Sequence, residues 1–254
     1  MSGICSKTGL AYVNGPVLGY RLAKISYGPI NPIERPGGVA DRLRWSRFDT
    51  PGSTVYLAGD AATAYAETLA MARTSRQYRD AISYVADFFG ISCEEAQQQV
   101  NDDWAANNNM VPGWLPQTWR DSRLLYVLQV EEPVRWVDLT AAETVAALNI
   151  HLGAELEGST GVQEITLGTV AGDNRQATTL IAEWIREQVL DDGSYAAGVQ
   201  AHSKYGGGLC WAYWLRRRDD GLGDDAVSVV DESAIELTEP DLQCVLSRYG
   251  INAR

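Results

Sequence analysis

The chain has 254 residues, of which 45% are hydrophobic and 21% charged, a composition typical of a globular protein and not of a disordered one. Thirty-three acidic residues against 21 basic ones give a net charge of −12, so the mean field repels phosphate backbones and argues against nucleic acid as a direct partner. Four cysteines without a C-x-x-C spacing and only two histidines argue against a zinc or iron centre, so we expect no metal and reduced thiols.

The amino-terminal residues lack the basic start and apolar block of a secretion signal. No apolar run approaches the about 18 residues of a membrane span. We therefore expect a cytoplasmic protein that does not associate with membranes. Because neither a repeat nor a linker divides the sequence, it predicts a single domain over residues 1–254.

The first quarter of the chain predicts two strands separated by a loop. Residues 17–26 alternate as a strand does and carry Arg21. Three prolines and three glycines in residues 27–38 predict a loop, and residues 54–58 predict a second strand.

Three helices are predicted next. Asp60 is placed to cap the helix that carries Glu67, whose neighbours at helical spacing are small or apolar, so that the carboxylate is expected to face the body of the protein. Residues 76–89 predict the second helix. Ser92 and Glu95 form a capping box that starts the third.

The middle of the chain predicts an irregular stretch followed by strands. Residues 104–119 hold three tryptophans and two prolines and predict a folded insertion loop, anchored by its tryptophans. Residues 123–133 and 134–139 predict two strands, and Thr140 with Glu143 suggests a capping box before a short helix.

Residues 174–193 predict the clearest amphipathic helix, ending at Gly193. Its predicted buried stripe consists of Thr178, Ile181, Ala182, Ile185 and Val189. A short strand, a glycine-rich loop and an apolar strand follow, with Ser203 just before the loop.

The end of the chain predicts one more helix, with Thr238 as its cap and Pro240 in its first turn. The basic run 216–218 precedes Asp219 and Asp220, and we expect a solvated strand end or hairpin there.

Three stretches, taken in order, resemble the RES-domain family, which is named for an arginine, a glutamate and a serine. They are Arg21 in the first strand; the turn at 47–52 followed by the strand 55–58 and the helix with Glu67; and residues 198–214, with Ser203 at the serine position. The turn carries aspartate at position 49, where the family has asparagine. The resemblance covers residues 17–70 and 124–215, and it leaves an insertion at 73–122 and a carboxyl-terminal extension at 216–254.

The resemblance implies an α+β fold similar to ADP-ribosyltransferases, a split β-sandwich with flanking helices, here with a helical insertion. It also implies a toxin of a toxin–antitoxin system that consumes NAD as its substrate and is neutralised by a protein antitoxin. Members of the family hydrolyse or phosphorolyse NAD, or transfer ADP-ribose to a protein acceptor. A homo-oligomer is left open.

The chemistry of these residue types agrees with that assignment. Cleavage of the nicotinamide–ribose bond passes through an oxocarbenium-like state, which a carboxylate such as Glu67 stabilises. Arg21 and Arg47 offer the permanent forked charge that a diphosphate needs, and Arg21 also counts as catalytic with Glu67 and Ser203. An alternative for Arg47 is a turn-stabilising pair with Asp49.

Two further contacts to the substrate are expected. Tyr56, or Tyr27 as the nearest candidate for the family's second aromatic residue, is placed to stack on or hydrogen-bond the nicotinamide ribose. Ser203 is expected to hydrogen-bond a ribose hydroxyl or the nicotinamide amide. His202 adjoins it but faces the other way on a strand, so a serine hydrolase is disfavoured.

The leading hypothesis is therefore an enzyme that cleaves NAD and inhibits growth, as a glycohydrolase or phosphorylase. A mono-ADP-ribosyltransferase is the first alternative. The second is a non-catalytic module that binds a nucleotide or another protein.

Overall fold

A computed structural model shows an α+β fold in which a nine-stranded sheet is flanked by helices. It describes residues 2–15, 17–38, 41–106, 112–131 and 134–253. The strands are β1 (Ser2–Ile4), β2 (Ala11–Asn14), β3 (Val17–Lys24), β4 (Thr54–Ala58), β5 (Trp114–Leu115), β6 (Arg123–Val130), β7 (Arg135–Asp138), β8 (Gly198–His202), β9 (Leu209–Trp214), β10 (Val227–Ala234) and β11 (Asn252–Ala253). The helices are α1 (Ala61–Leu69), α2 (Arg76–Phe89), α3 (Cys93–Ala106), α4 (Gln117–Asp121), α5 (Ala142–Thr160), α6 (Leu167–Ala171), α7 (Arg175–Glu187), α8 (Arg216–Asp219) and α9 (Pro240–Tyr249). The predicted α+β class with flanking helices is confirmed.

The order of strands in the main sheet is β1-β2-β7-β8-β9-β4-β3-β6-β10. Its neighbours pair antiparallel, except for the parallel pair β7–β8, and a separate parallel pair joins β5 to β11. The sheet is curled, because side chains of the distant strands β6 and β7 pack into one cluster around Trp136. The indole Nε1 of Trp136 donates to the carbonyl of Gly15 at 3.2 Å and ties the turn before β3 to this cluster.

The seam between β3 and β4 positions the candidate site. These two fully described strands are bridged at one register pair, Tyr20 and Ala58, whereas β3 pairs with β6 along its whole length. Since paired strands lie about 4.8 Å apart, strands that are bridged once leave room for side chains between them. Arg21 follows Tyr20 directly and lies at this opening.

Two groups of helices pack on the face of the sheet opposite the cluster around Trp136. One cluster joins α5 and α7 to β7, β8 and β9, with Trp214 and Ile181 fully buried. The second joins α1 and α9 to β3, β4 and β6, with Tyr65 and Leu242 fully buried. The candidate site lies on α1, beside this second cluster.

The predicted insertion contains the pair α2 and α3. Ile82, Ala86 and Ala96 form a small cluster of their own between these two helices.

Within the described residues, no helix is both long enough and apolar enough to cross a membrane.

Several predicted elements are confirmed. The second predicted strand is β4 with the same bounds, and the second predicted helix is α2 with the same bounds. Asp60 caps α1 by accepting from the amide of Thr63 at 2.6 Å. The capping box before α3 is present, with Ser92 and Glu95 exchanging hydrogen bonds of 3.0 and 3.1 Å.

Three helix boundaries differ from the prediction. The hydroxyl of Thr140 donates to Asp138 at 2.7 Å, so no box forms and α5 is a long helix that starts at Ala142. Helix α7 ends at Glu187, before Gly193, because the chain turns into a bridge between Val189 and Tyr195. Position Glu239, and not Thr238, precedes α9, and its carboxylate accepts from Tyr65; Pro240 is in the first turn as predicted.

Two segments predicted as irregular or solvated have other structures. Within 104–119, α3 continues to Ala106 and the strand β5 and helix α4 follow, while residues 107–111 of this predicted loop lie outside the described residues. The basic run 216–218 forms the one-turn helix α8 and not a strand end or hairpin. It is anchored because the carboxylate of Asp219 accepts from the amide of Ser53 at 3.0 Å and from Arg186 at 2.6 Å.

Candidate active site

A cleft of about 490 Å³ opens at the seam between β3 and β4, with α1 on one side and the turn at 45–48 on another. This volume falls within the range of small-molecule sites. Among the described residues its lining contains three arginines and one glutamate, together with aromatic rings that include Trp45 and Trp211. In a chain of net charge −12, this is a local concentration of positive charge.

Glu67 faces this cleft from the second turn of α1. Its side chain is 29% exposed, and its Oε1 accepts a hydrogen bond from the hydroxyl of Ser203 at 2.7 Å. Nη2 of Arg47 lies 3.5 Å from the same oxygen. The carboxylate is therefore held in one orientation by a neutral donor and a cation.

Ser203 lies behind Glu67 and is not among the described residues that line the cleft. The residue is buried, and its Oγ accepts from the amide of Tyr205 at 3.1 Å while donating to Glu67. The loop after β8 closes on itself through Ser203 N and the carbonyl of Gly208, at 2.7 Å. A side chain at Gly208 would overlap Thr63 of α1, so this glycine permits the close approach of the loop to α1.

This placement adds to the expected role of Ser203. Its hydroxyl donates to Glu67 and orients that carboxylate. The contact with a ribose hydroxyl or an amide stays a prediction. His202 is exposed and its Nδ1 lies 2.8 Å from the carbonyl of Gly207. The structure therefore offers Ser203 a carboxylate partner but no histidine base.

Arg47 connects Glu67 to the segment before α7. Its Nη1 lies 3.5 Å from the carbonyl of Ala171, its guanidinium lies 5.3 Å from the ring centre of Phe48, and its side chain is 10% exposed. The alternative pair with Asp49 is wrong, because Asp49 pairs with Nε of Arg35 at 2.7 Å. The turn is thus stabilised by another arginine, and Arg47 is free to line the cleft.

Arg21 is half-buried at the seam of the sheet. Its Nη1 donates to the carbonyl of Tyr56 at 3.2 Å, whereas its buried Nε has no hydrogen-bond partner among the described residues. Burial lowers the pKa of Arg21 to about 10, against the opposing effects of Tyr56 and Asp49. A buried donor without a partner is costly, and an anion in the cleft would remove that cost.

The two predicted tyrosines have different positions. Tyr56 lines the cleft, but its hydroxyl donates to Oδ1 of Asp49 at 2.9 Å and accepts from the amide of Phe48 at 3.0 Å. Burial, followed by the charge of Asp49, raises the pKa of Tyr56 well above its ordinary value. Tyr56 therefore shapes the turn that carries Arg47.

Tyr27 does not join this group. It is 60% exposed, lies under the ammonium group of Lys24 at 5.6 Å, and is not among the described residues lining the cleft. The reason is its place in the turn after β3, beyond the end of the strand. Tyr205 lines the cleft and is an aromatic residue that the sequence did not single out.

Arg175 and Cys210 are two further lining residues that were not predicted. Arg175 lies three residues before Thr178 and seven before Ala182, which are on the buried stripe of α7. This helical spacing could have indicated that Arg175 faces the body of the protein. Cys210 lies in β9, and burial together with the negative charge of Glu67 raises its pKa to about 12. Its thiol is therefore protonated at neutral pH and is not a nucleophile.

Within the described residues no group of three or more histidine, cysteine, aspartate or glutamate side chains is arranged to hold a metal ion. All four cysteines are free of disulfides. The charged side chains among the described residues that line the cleft are the three arginines and Glu67.

Comparisons with known proteins add one structural likeness. No protein-family model matches the chain, and no curated protein matches it. The solved structure of the M. tuberculosis MbcT–MbcA toxin–antitoxin complex contains a chain that is similar over 94% of this chain and 91% of its own, with a TM-score of 0.43 and 10% identity. A likeness at this level transfers no property of that complex to this chain.

Proposed function

We propose that this protein cleaves the nicotinamide–ribose bond of NAD, with water or phosphate as acceptor. The observation that carries the proposal is the fixed carboxylate of Glu67, which shares one cleft with Arg21 and Arg47. The RES-like order of these residues in the sequence supports NAD as the substrate. Hydrolysis would make the enzyme a glycohydrolase, and phosphate as acceptor would make it a phosphorylase.

Each residue has a distinct task in this reaction. As the bond to nicotinamide breaks, positive charge develops on the anomeric carbon and its ring oxygen, and the carboxylate of Glu67 stabilises that charge. Ser203 and Arg47 keep the carboxylate in place, so that little reorganisation is needed in the transition state. Released nicotinamide carries away the bonding electron pair, and the acceptor then attacks the anomeric carbon.

The diphosphate of the substrate would be held by the guanidinium groups. Arg21 presents its unpaired Nε at the seam, and Arg47 presents its fork next to Glu67. Arginine suits this task because it stays charged and offers donors in a planar fork. The rings of Trp45 and Tyr205 offer flat apolar surfaces for the bases.

The biological role that goes with this chemistry is growth inhibition by depletion of NAD in the cytoplasm, controlled by a protein antitoxin. The resemblance to the RES-domain family supports this role. A protein acceptor of ADP-ribose would instead make the enzyme a mono-ADP-ribosyltransferase.

The direct test is to incubate the purified protein with NAD, with and without phosphate, and to measure the released nicotinamide by chromatography. We expect turnover by the parent protein and a loss of roughly 100- to 1000-fold in the Glu67→Gln variant, because one charge contact to the transition state is removed. Glu94→Gln, which changes an exposed glutamate in the first turn of α3, is the matched control and should keep the parent rate.

Three outcomes separate the alternatives. Turnover that requires a cell extract and adds ADP-ribose to a protein, seen by mass spectrometry, would select the transferase. Binding of NAD without turnover under any of these conditions would favour a non-catalytic module. A Glu67→Gln variant as active as the parent would refute the role given to this carboxylate.

A further inference from the structure

The third arginine of the cleft, Arg175, has no role in the interactions described so far. It is the first residue of α7 and lines the cleft. Its Nη1 is buried and has no hydrogen-bond partner among the described residues. Its Nη2 makes a long ion pair, of 3.6 Å, with the exposed Asp173.

Another arginine of the same helix has its terminal donors satisfied, unlike Arg175. Arg186, near the other end of α7, donates from Nη1 to Thr50 at 2.8 Å and to the carbonyl of Pro51, and from Nη2 to Asp219 at 2.6 Å. Arg186 thus has a structural role with its terminal donors satisfied. Arg175 lacks such partners, and an exposed ion pair as long as the one to Asp173 contributes little.

The position of Arg175 relative to Glu67 follows from Arg47. One end of the Arg47 fork lies 3.5 Å from Glu67, and the other lies 3.5 Å from the carbonyl of Ala171. Ala171 precedes Arg175 by four residues, and Asp173 between them feels the positive charges of Lys204, Arg175 and Arg47. Arg175 thus follows, by four residues, the carbonyl that meets the end of the Arg47 fork not used for Glu67, and it lines the same cleft.

A ligand that reaches both Glu67 and Arg175 must carry negative charge at some distance from its reacting bond. A diphosphate that links two nucleosides has this property, since its second phosphate is separated from the first ribose. A mononucleotide has a single phosphate, next to the reacting ribose. Arginine forks bind phosphate oxygens in pairs, and the buried unpaired Nη1 needs such an acceptor.

We propose that Arg175 binds the diphosphate on the side away from the reacting bond, and that it makes the enzyme select diphosphate-linked dinucleotides over nicotinamide mononucleotide. This inference rests on the proposed function for its reaction, but the binding of a diphosphate can be tested without turnover. Arg175 is in this sense a specificity-determining residue, separate from the group around Glu67.

The first experiment measures binding by the fluorescence of Trp45 and Trp211, which line the same cleft. Parent protein, Arg175→Gln and Arg175→Lys are titrated with ADP, AMP and adenosine. We expect Arg175→Gln to weaken ADP at least about tenfold, AMP less, and adenosine less than twofold, because the lost contact is a charge-assisted hydrogen bond to phosphate. Arg175→Lys should lie between, since lysine keeps the charge without the fork.

The control is Arg76→Gln, which removes the same charge at a side chain that is 90% exposed on α2 and should leave ADP binding unchanged. Thermal melting of each variant shows whether it is folded. No binding of ADP by the parent, an Arg175→Gln variant that binds ADP within twofold of the parent, or equal weakening of ADP and adenosine would each overturn the inference.

The second experiment measures nicotinamide release from NAD and from nicotinamide mononucleotide. Arg175→Gln should lower kcat/KM for NAD at least about tenfold and leave the rate on the mononucleotide within twofold. Equal losses on both substrates would overturn the selectivity. If the parent releases no nicotinamide, the proposed reaction fails, while the ADP titration still decides whether Arg175 holds a diphosphate.

Discussion

Arg21 and Arg186 are both shielded from solvent, but they differ in how well their donors are satisfied. Arg186 is surrounded by acceptors from Thr50, Pro51 and Asp219. Arg21 has a single acceptor, the carbonyl of Tyr56, and burial lowers its pKa to about 10 because the charged form is poorly solvated. In the absence of ligand, Arg21 is therefore a cost to the fold and not a support.

This contrast predicts opposite effects of the same substitution. Arg186→Met should lower the free energy of unfolding by about 3–5 kcal/mol, because it leaves Asp219 as an unpaired carboxylate with little exposure. Arg21→Met should leave the protein at least as stable as the parent, with a melting temperature higher by up to about 2–4 °C for each 1 kcal/mol recovered. Denaturant unfolding of both variants without ligand provides the measurement. A large loss of stability in Arg21→Met would show that the guanidinium is structural.

The local sequence was sufficient to predict that Glu67 faces the body of the protein, since its helical neighbours are small and Asp60 caps the helix. It was insufficient for Ser203, because the hydrogen bond to Glu67 joins residues 136 positions apart. The pair of Arg35 and Asp49 was missed for a similar reason. Arg47 is next to Asp49 in the sequence, whereas Arg35 is brought to Asp49 by the bridge between Arg35 and Gly52.

Helix α9, part of the predicted carboxyl-terminal extension, contacts both segments that carry Glu67 and Ser203. The hydroxyl of Tyr249 donates to the carbonyl of Ala66 in α1 at 3.1 Å, and it lies 3.4 Å from the carbonyl of Tyr205 in the loop after Ser203. The two segments that supply Glu67 and Ser203 are thus joined by one residue of α9.

We therefore expect Tyr249→Phe to affect both stability and catalysis. Loss of a hydrogen bond at a buried position should lower the free energy of unfolding by about 1 kcal/mol. Looser contact between α1 and the loop should lower kcat more than it raises KM, because the orientation of Glu67 matters most in the transition state. The control Tyr84→Phe, at a position of α2 that is 72% exposed, should change neither quantity in unfolding and steady-state assays.

Elements were predicted well where spacing alone defines them and less well where a capping side chain has another partner within reach. The bounds of β4 and α2 needed only alternation and helical spacing. The capping box of α5 was predicted wrongly because the hydroxyl of Thr140 donates to Asp138, and the start of α9 is displaced by one residue, from Thr238 to Glu239. The seam between β3 and β4 depends on pairing between strands and has no signature in either strand.

Across the whole molecule, burial raises the pKa of tyrosine hydroxyls in several layers of the fold. The affected residues are Tyr56, Tyr65, Tyr126, Tyr213 and Tyr249, with that of Tyr213 raised to about 12. In the unfolded chain a tyrosine ionises near pH 10. The folded protein therefore keeps these protons over a range of pH in which the unfolded chain loses them.

This difference makes the fold sensitive to alkali. Where the folded pKa is higher, the stabilisation is fully present below about pH 10 and decreases as the pH rises towards 12. Urea unfolding between pH 8 and pH 11.5, in steps of about half a unit, should show stability falling above about pH 10, and Tyr213→Phe should fall less steeply because one such proton is removed. A flat profile, or an unchanged slope in Tyr213→Phe, would contradict this assignment.

The contact made by Tyr249 has a consequence for the order in which the protein is synthesised. A ribosome that has translated Glu67, Arg175 and Ser203 has still to add the helix that joins α1 to the serine loop. A nascent chain therefore carries the side chains of the candidate site before it has the helix that holds them in register. Translation of α9, and not the appearance of any single side chain, is the step that completes the support of the cleft.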